Sequence, residues 1–430
     1  MKDLDPQRYG LLALLALTTV SPLAFVQLDE PTVRLSVWKI LAKTGSLAGT
    51  VLLVWQLLLG FRGFVSRILP DLIWNIELHK KLGQYGLLLI LLHPVFITVY
   101  YFDKFDLNVF HPEADIFPWV LFGIVAAAIL LLIGLTSVPL REKLSYRVWM
   151  RLHLTSYLVL PLVFVHSYPI GMTLRQTALG SVWLFLMAGV AAIYLYRLAG
   201  TFGLLSYRYR VTRRAPVGDE VMEIWLRPVK GRIVPVNGQF MYFRRGLLSG
   251  SHPYTVTEYV PTDGSLALTI KALGKDSRAT QDMAPGEEAL LDGPYGVFGR
   301  GALETGRPLV LIAGGIGITS FKLLVECVET QAGRDAVLFF GNQRRKDIVY
   351  ADYFESLKSV RVVHVLSDEP DFKGETGLVT LDLLRKHLKR DLPDYEYLLC
   401  GPPPMIKILE SDLDAAGVPP EQVHHELFSI

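Results

Sequence analysis

The chain has 430 residues, of which 51% are hydrophobic and only 20% charged, too apolar for an ordinary soluble domain and too poor in charge for a disordered chain. A formal net charge of +2 leaves no basic stripe for nucleic acid once the charges flanking apolar segments are set aside. Two cysteines, Cys327 and Cys400, are too few for a disulfide framework, a zinc knuckle or an iron–sulfur cluster, and no C-x-x-C-H motif is present to attach a c-type haem.

Charge divides the chain near Leu204: residues 1–204 hold 27 of the charged residues and residues 205–430 hold 57. The first part contains six apolar runs of roughly the 20 residues that a bilayer requires. They are Tyr9–Leu28, Lys43–Phe61, His79–Tyr101, Phe117–Ser137, Trp149–Tyr168 and Thr177–Leu198. Lys2 and Arg8 ahead of the first run suggest a signal peptide, but no small-residue cleavage site follows, so it is read as a span. Arg62, Arg67, Lys80 and Lys81 separate spans two and three; Arg141, Lys143, Arg147 and Arg151 separate spans four and five; Arg208, Arg210, Arg213 and Arg214 follow span six. The segment between spans three and four instead holds Asp103, Asp106, Glu113 and Asp115 against Lys104. The positive-inside rule then puts both termini and the second half in the cytoplasm of a multi-pass cell-membrane protein, with lipid as its surroundings.

Ionisable residues within spans are functional by default. Span three carries His79 and His93, and span five carries His153 and His166. At about 1.5 Å per residue, both spacings correspond to roughly 20 Å of helix, so His79 is expected to face His153 at one level and His93 to face His166 at the other. Imidazole suits iron, and two axial histidines per iron make a b-type haem without covalent attachment. Fourteen residues return to within about 40° of one helix face, but thirteen miss it by about 140°, so a kink at Pro161 or a π-bulge is expected between His153 and His166. His111, beside Pro112, reads as a loop residue.

Beyond Leu204 the pattern becomes β-rich. Tyr207–Thr212, Glu220–Arg227, Gly238–Arg244, Tyr254–Val260, Ser265–Leu273 and Glu287–Leu291 read as a small antiparallel barrel. The apolar strand Pro308–Ala313 then runs into Gly314, Gly315, Ile316, Gly317, Ile318 and Thr319, with a helix expected over Ser320–Thr330. Such glycines let the backbone approach a pyrophosphate at a helix N-terminus, although they also occur in plain tight turns. A second strand, Ala336–Phe340, ends near Arg344 and Arg345, which suit the 2′-phosphate of NADPH or form a solvated basic loop. Strands at Val360–Leu366 and Tyr395–Cys400 complete a parallel sheet, with Cys400, Gly401 and Pro402 at its ligand-binding edge.

These residues together resemble the NADPH oxidase and ferric reductase superfamily. The resemblance implies a six-helix transmembrane bis-haem domain (residues 1–204), an FAD-binding β-barrel (205–300) and a Rossmann-like α/β NADPH domain (301–430). The histidine quartet matches the superfamily's two-haem motif. His252, Pro253, Tyr254 and Thr255 resemble its flavin motif, and Lys271, Gly274, Ser277 and Thr280 the residues near the FAD pyrophosphate. Gly293, Pro294, Tyr295 and Gly296 resemble its domain-junction turn, and Gly314 to Thr319 its NADPH pyrophosphate loop. Cys400, Gly401 and Pro402 resemble the nicotinamide-side motif, while Glu426 and Phe428 resemble the ending in which an aromatic covers the flavin, giving Cys400 and Phe428 roles at the reacting centre. Eukaryotic oxidases carry a further histidine where this chain has Ile97, and Gln343 stands where the family tends to have arginine.

The resemblance implies transmembrane electron transfer from NADPH through FAD and two haems to oxygen, giving superoxide. A ferric-chelate reductase on the same relay, or a donor subunit serving a periplasmic protein, are the alternatives. Lys39 and Lys43, near the outer end of span two, would attract an anionic acceptor or product, or anchor the helix. No calcium loop, SH3-ligand tail or other sign of an obligate protein partner is visible.

Overall fold

A computed structural model describes residues 6–61, 72–112, 114–247, 249–330 and 334–426. By compactness the chain forms two units, Met1–Leu198 and Ala199–Ile430. Among the described residues of the chain, six helices are long and apolar enough to cross a membrane: Pro6–Phe25, Val33–Leu59, Trp74–Phe105, Phe117–Ser137, Tyr146–Ile170 and Leu179–Thr201.

The second span begins ten residues before the apolar run that marks it in the sequence. Thr32 caps it, its hydroxyl accepting from the Leu35 amide at 3.3 Å. Charges that read as loop are paired there instead. Arg34 meets Asp103 at 2.8 Å, and Lys39 meets Glu30 at 2.7 Å and Asp29 at 3.1 Å. The carboxylate of Glu30, with its side chain 1% exposed, also accepts from Lys104 and Tyr100, each at 2.7 Å. Burial pushes the Glu30 carboxyl up, but the hydrogen bonds from Lys104, Lys39 and Tyr100 outweigh it and hold it at about 2. Lys39 is thereby paired with two carboxylates beside the start of span two.

Two spans depart from regular α-helix. Thr44–Ala48 is a π-turn within span two. Gly45 lies so close to span three that a Cβ there would stand 2.5 Å from the His93 backbone nitrogen. In span five, the α-helix Tyr146–His153 passes into a 3-10 segment, Leu154–Leu158, and resumes over Val159–Ile170. Leu47, Val51, Phe164 and Trp183 are among the side chains that fill the interior of this unit.

In the second unit, β1 (Tyr207–Gly218), β2 (Val221–Lys230), β3 (Phe240–Arg244), β4 (His252–Tyr259), β5 (Leu266–Lys271) and β6 (Glu288–Tyr295) close an antiparallel barrel in the order β1-β2-β5-β4-β3-β6. Its interior holds Tyr209, Ile224, Leu226, Phe243, Leu266 and Leu268. A parallel six-stranded sheet follows, with β7 (Leu309–Gly314), β8 (Ala336–Asn342), β9 (Val360–Leu366), β10 (Glu375–Thr376), β11 (Glu396–Cys400) and β12 (Val423–Glu426) in the order β10-β9-β8-β7-β11-β12. Both faces are covered. Leu309, Leu311 and Ala313 enter one core while Val310 and Ile312 enter the other, which is why the strand reads as an unbroken apolar run rather than an alternating one. The two-residue β10 and the polar β12 carry no such run, and the sequence did not reveal them.

Candidate functional site

Within the first unit the four histidines meet in two pairs. Ring centroids of His79 and His153 are 6.1 Å apart, and those of His93 and His166 are 6.0 Å apart. The thirteen-residue spacing is reconciled by the 3-10 segment, not by a kink at Pro161 or a π-bulge. Overwinding five residues from about 100° to about 120° each adds about 100°, so thirteen residues now miss one face by about 40°, the same offset as fourteen residues of α-helix. The 3-10 rise of about 2.0 Å per residue also lengthens the thirteen-residue interval to about 22 Å, against about 21 Å on span three. One irregularity thus brings both the angle and the height of the second pair into register with the first.

A backbone carbonyl beside the ring selects the tautomer of His93 and of His166. His93 Nδ1 lies 3.2 Å from the Ala42 carbonyl, and His166 Nδ1 lies 2.9 Å from that of Trp119. A carbonyl only accepts, so each Nδ1 carries the proton and each Nε2 keeps its lone pair. Gly123 makes room for this arrangement, since a Cβ there would stand 2.7 Å from His166 Nδ1. Ser137 Oγ lies 3.3 Å from His153 Nδ1.

Two metal–imidazole bonds of about 2 Å laid end to end, with about 1.1 Å from each nitrogen to its ring centre, separate the centroids by about 6 Å. Both pairs have this spacing. Among the described residues no group of three or more His, Cys, Asp or Glu converges as a metal site. Two imidazoles alone are too few ligands for zinc but are the full axial set for an iron whose other four positions a macrocycle fills. The residues therefore fit bis-histidine haem.

In the second unit, the expected flavin residues gather along β4 and the turn after β5. Thr255, 2% exposed, holds a hydroxyl with no hydrogen-bond partner among the described residues, which points to an acceptor or donor on a ligand. Asp276 lies between Arg245, at 3.2 Å, and His252, at 3.5 Å. Tyr254 packs edge-on to Phe243. Lys271 ends β5 in no ion pair among the described residues. Ser277 and Thr280 turn inward: Ser277 Oγ accepts from the Leu273 and Gly274 amides, and Thr280 donates to the Asp276 carbonyl. They shape the turn around Gly274 from within it.

The glycine loop divides its tasks. A Cβ on Gly317 would stand 2.2 Å from the Cys400 carbonyl oxygen, and one on Gly314 2.7 Å from Pro402 Cδ. Both glycines seat the loop against the end of β11, where a Cβ on Gly401 would in turn stand 3.0 Å from Gly314. Gly315, with φ +53° and open space beside it, is the one whose backbone is left uncovered by the rest of the protein. The loop then forms a 3-10 turn, Gly315–Phe321, before the α-helix Lys322–Thr330, so the α-helix starts two residues later than the sequence suggests. Thr319 is buried and donates to the Ile316 carbonyl at 3.0 Å.

Cys400 is fully buried, its sulfur 3.5 Å from Ser320 Oγ. Burial pushes the thiol up, Ser320 opposes this, and Glu426 adds to it, so the group stays a neutral thiol at physiological pH. The Glu426 carboxylate also reaches 3.6 Å from the Cβ position of Gly296, so the end of β6, Cys400 and the end of β12 are neighbours. Gly293 and Pro294 lie in β6, where the Tyr295 ring is inclined by 36° to that of Phe240 and meets that of Tyr242 edge-on. Phe428 lies outside the described residues. At the other edge of the site, Arg344 is exposed and in no ion pair among the described residues, whereas Arg345 lies 5.3 Å over the Phe372 ring. Asn342, 8% exposed, has no hydrogen-bond partner for either amide atom among the described residues.

Residues 44–164 match the family described as ferric reductase like transmembrane component, and residues 311–411 match the oxidoreductase NAD-binding domain. The architecture is that of the NADPH oxidase and ferric reductase superfamily. Its matched transmembrane component contains His79, His93, His153 and most of span five, and its NAD-binding part contains the glycine loop, Arg344 and Cys400. Among curated relatives, the chain is 27% identical over 237 residues to the xylene/toluene monooxygenase electron transfer component XylA of Pseudomonas putida, covering 51% of this chain and 64% of that one. It is 30% identical over 174 residues to NADH-cytochrome b5 reductase 1 of Mycosarcoma maydis, covering 38% and 53%. The chain thus spans less than two thirds of the length of either. A solved structure, ferredoxin reductase in carbazole 1,9a-dioxygenase, aligns with a TM-score of 0.47 at 23% identity over 52% of this chain and 69% of that one.

Sequence reasoning missed several residues around the histidine pairs. Ser137 and Trp149 had a legible signal, a polar residue at a span end and an indole four residues before a histidine. The carbonyls of Ala42 and Trp119 had none, because any residue supplies a carbonyl.

Proposed function

We propose that the protein carries electrons from cytoplasmic NADPH, through FAD and two b-type haems, to oxygen on the opposite side of the membrane, producing superoxide. The observation that carries this reading is the pair of histidine pairs, at 6.1 and 6.0 Å, one above the other on the same two spans. When bound, FAD takes the nicotinamide hydride and passes its electrons singly to the iron centres. His79 and His153 would hold the haem nearer the cytoplasm, and His93 and His166 the haem nearer the far side. Thr255 offers its unpartnered hydroxyl to the flavin, Gly315 its backbone to the NADPH pyrophosphate, and Arg344 its guanidinium to the 2′-phosphate. Glu369 already accepts the Arg345 amide at 2.6 Å, so it is engaged by the protein where an NADH site would use an acid on the ribose.

The test uses protein purified in detergent, supplied with FAD and reduced by NADPH without oxygen, followed by re-oxidation with air or ferric citrate. Reduced haem that re-oxidises in air with release of superoxide is the expected result. Fast re-oxidation by ferric citrate and slow by air would establish the second reading, a ferric-chelate reductase. For the nucleotide, Arg344→Ala is expected to raise the KM for NADPH by about tenfold or more, the worth of a charge-assisted hydrogen bond, with the KM for NADH unchanged. Equal effects on both nucleotides would remove Arg344 from the 2′-phosphate site.

A further inference from the structure

The two histidine pairs are not held alike. Ser137 is the last residue of span four, and Trp149 and His153 stand four residues apart on one face of the helix Tyr146–His153. The Trp149 indole N–H donates to Ser137 Oγ at 3.1 Å, and His153 Nδ1 lies 3.3 Å from the same oxygen. The Trp149 and His153 rings are 5.1 Å apart and inclined by 30°. On the indole, the Arg141 guanidinium carbon lies 4.6 Å from the ring centroid. The indole therefore touches both the guanidinium and the imidazole, and one hydroxyl ties it to the imidazole.

We propose that Ser137 and Trp149 are positioning residues for His153, and that with Arg141 they make the His79–His153 site the one of higher reduction potential. This rests on the haem reading above. His93 and His166 give their Nδ1 protons to backbone carbonyls, strong acceptors that raise the basicity of a ligating imidazole and favour the oxidised metal. His153 shares a hydroxyl that an indole N–H already occupies, and His79 Nδ1 is buried with no partner among the described residues. Both ligands of this site are thus the weaker electron donors. Arg141 adds a positive charge on the indole that His153 also contacts, which favours the added electron. All three contributions act in the same direction, so the His79–His153 site retains an electron in preference to the site beyond it.

The experiment is a redox titration of the haem-loaded protein in detergent, read by visible absorption and electron paramagnetic resonance. The intact protein is expected to titrate in two waves, and His166→Leu to retain the wave of higher potential. In that background Arg141→Gln should lower the midpoint, reducing the ratio of reduced to oxidised haem at fixed potential by about twofold or more. Ser137→Ala should broaden the low-spin resonance of the same haem, and Ser137→Thr should restore it. Retention of the lower wave, or a midpoint and resonance unmoved by these variants while haem remains bound, would overturn the inference alone. Purified protein without haem absorption would overturn the parent reading as well.

Discussion

Gly317→Ala is expected to lower the melting temperature of the second unit and to abolish most NADPH-dependent flavin reduction. The added Cβ would stand 2.2 Å from the Cys400 carbonyl oxygen and 2.7 Å from its carbon, both backbone atoms at the end of a buried strand. Neither can swing aside as a side chain would. Overpacking of this kind costs about 1–3 kcal/mol, and relief requires the loop or the strand end to move. Gly315→Ala provides the contrast. Open space surrounds that position, so the cost is confined to the left-handed backbone, about 1–2 kcal/mol, while any ligand drawn to the bare backbone meets a methyl group. Thermal melts and steady-state kinetics with NADPH separate the two, with Gly317→Ala moving both readouts and Gly315→Ala mainly raising KM. An unchanged KM in Gly315→Ala would show that the pyrophosphate does not rest there.

His166→Leu should reduce the haem content from two per chain to one while flavin reduction by NADPH proceeds as before. Leucine has no lone pair, and a site with two protein ligands has no third to compensate. The surroundings of His166 are also dedicated to an imidazole, with Trp119 accepting from Nδ1 and Gly123 leaving room for the ring. The nicotinamide and flavin residues belong to the other compact unit, so their chemistry is untouched at source. A pyridine haemochrome assay gives the count. Two haems retained would refute the assignment of the His93–His166 pair.

Much of the architecture was legible because it is written locally. Six spans announce themselves by length and hydropathy, and the six barrel strands by alternation between turns, each requiring only a short window of sequence. The pairing of His79 with His153 and of His93 with His166 followed from helix rise and the direction of successive spans. The start of span two was misplaced because Arg34 and Lys39 look like loop charges until Asp103 and Glu30 are seen beside them. Thr255 was legible within its motif, but its buried and unpartnered hydroxyl was not.

The sequence by itself determined a membrane unit carrying a histidine quartet and a second unit with a barrel and a parallel sheet, since composition, period and charge are properties of neighbouring residues. Only the tertiary structure decided how a thirteen-residue interval keeps phase with a fourteen-residue one, because the 3-10 segment Leu154–Leu158 has no signature in its own residues. It likewise decided that Gly317 serves the Cys400 backbone while Gly315 remains open, and that Ser137, Ala42 and Trp119 orient the imidazoles. Each of these depends on segments remote in the chain meeting at atomic distance. The low charge that first excluded a soluble domain thus has a structural use: it leaves the spans apolar enough that the hydrogen bonds to His93, His153 and His166 face little competition from other polar groups.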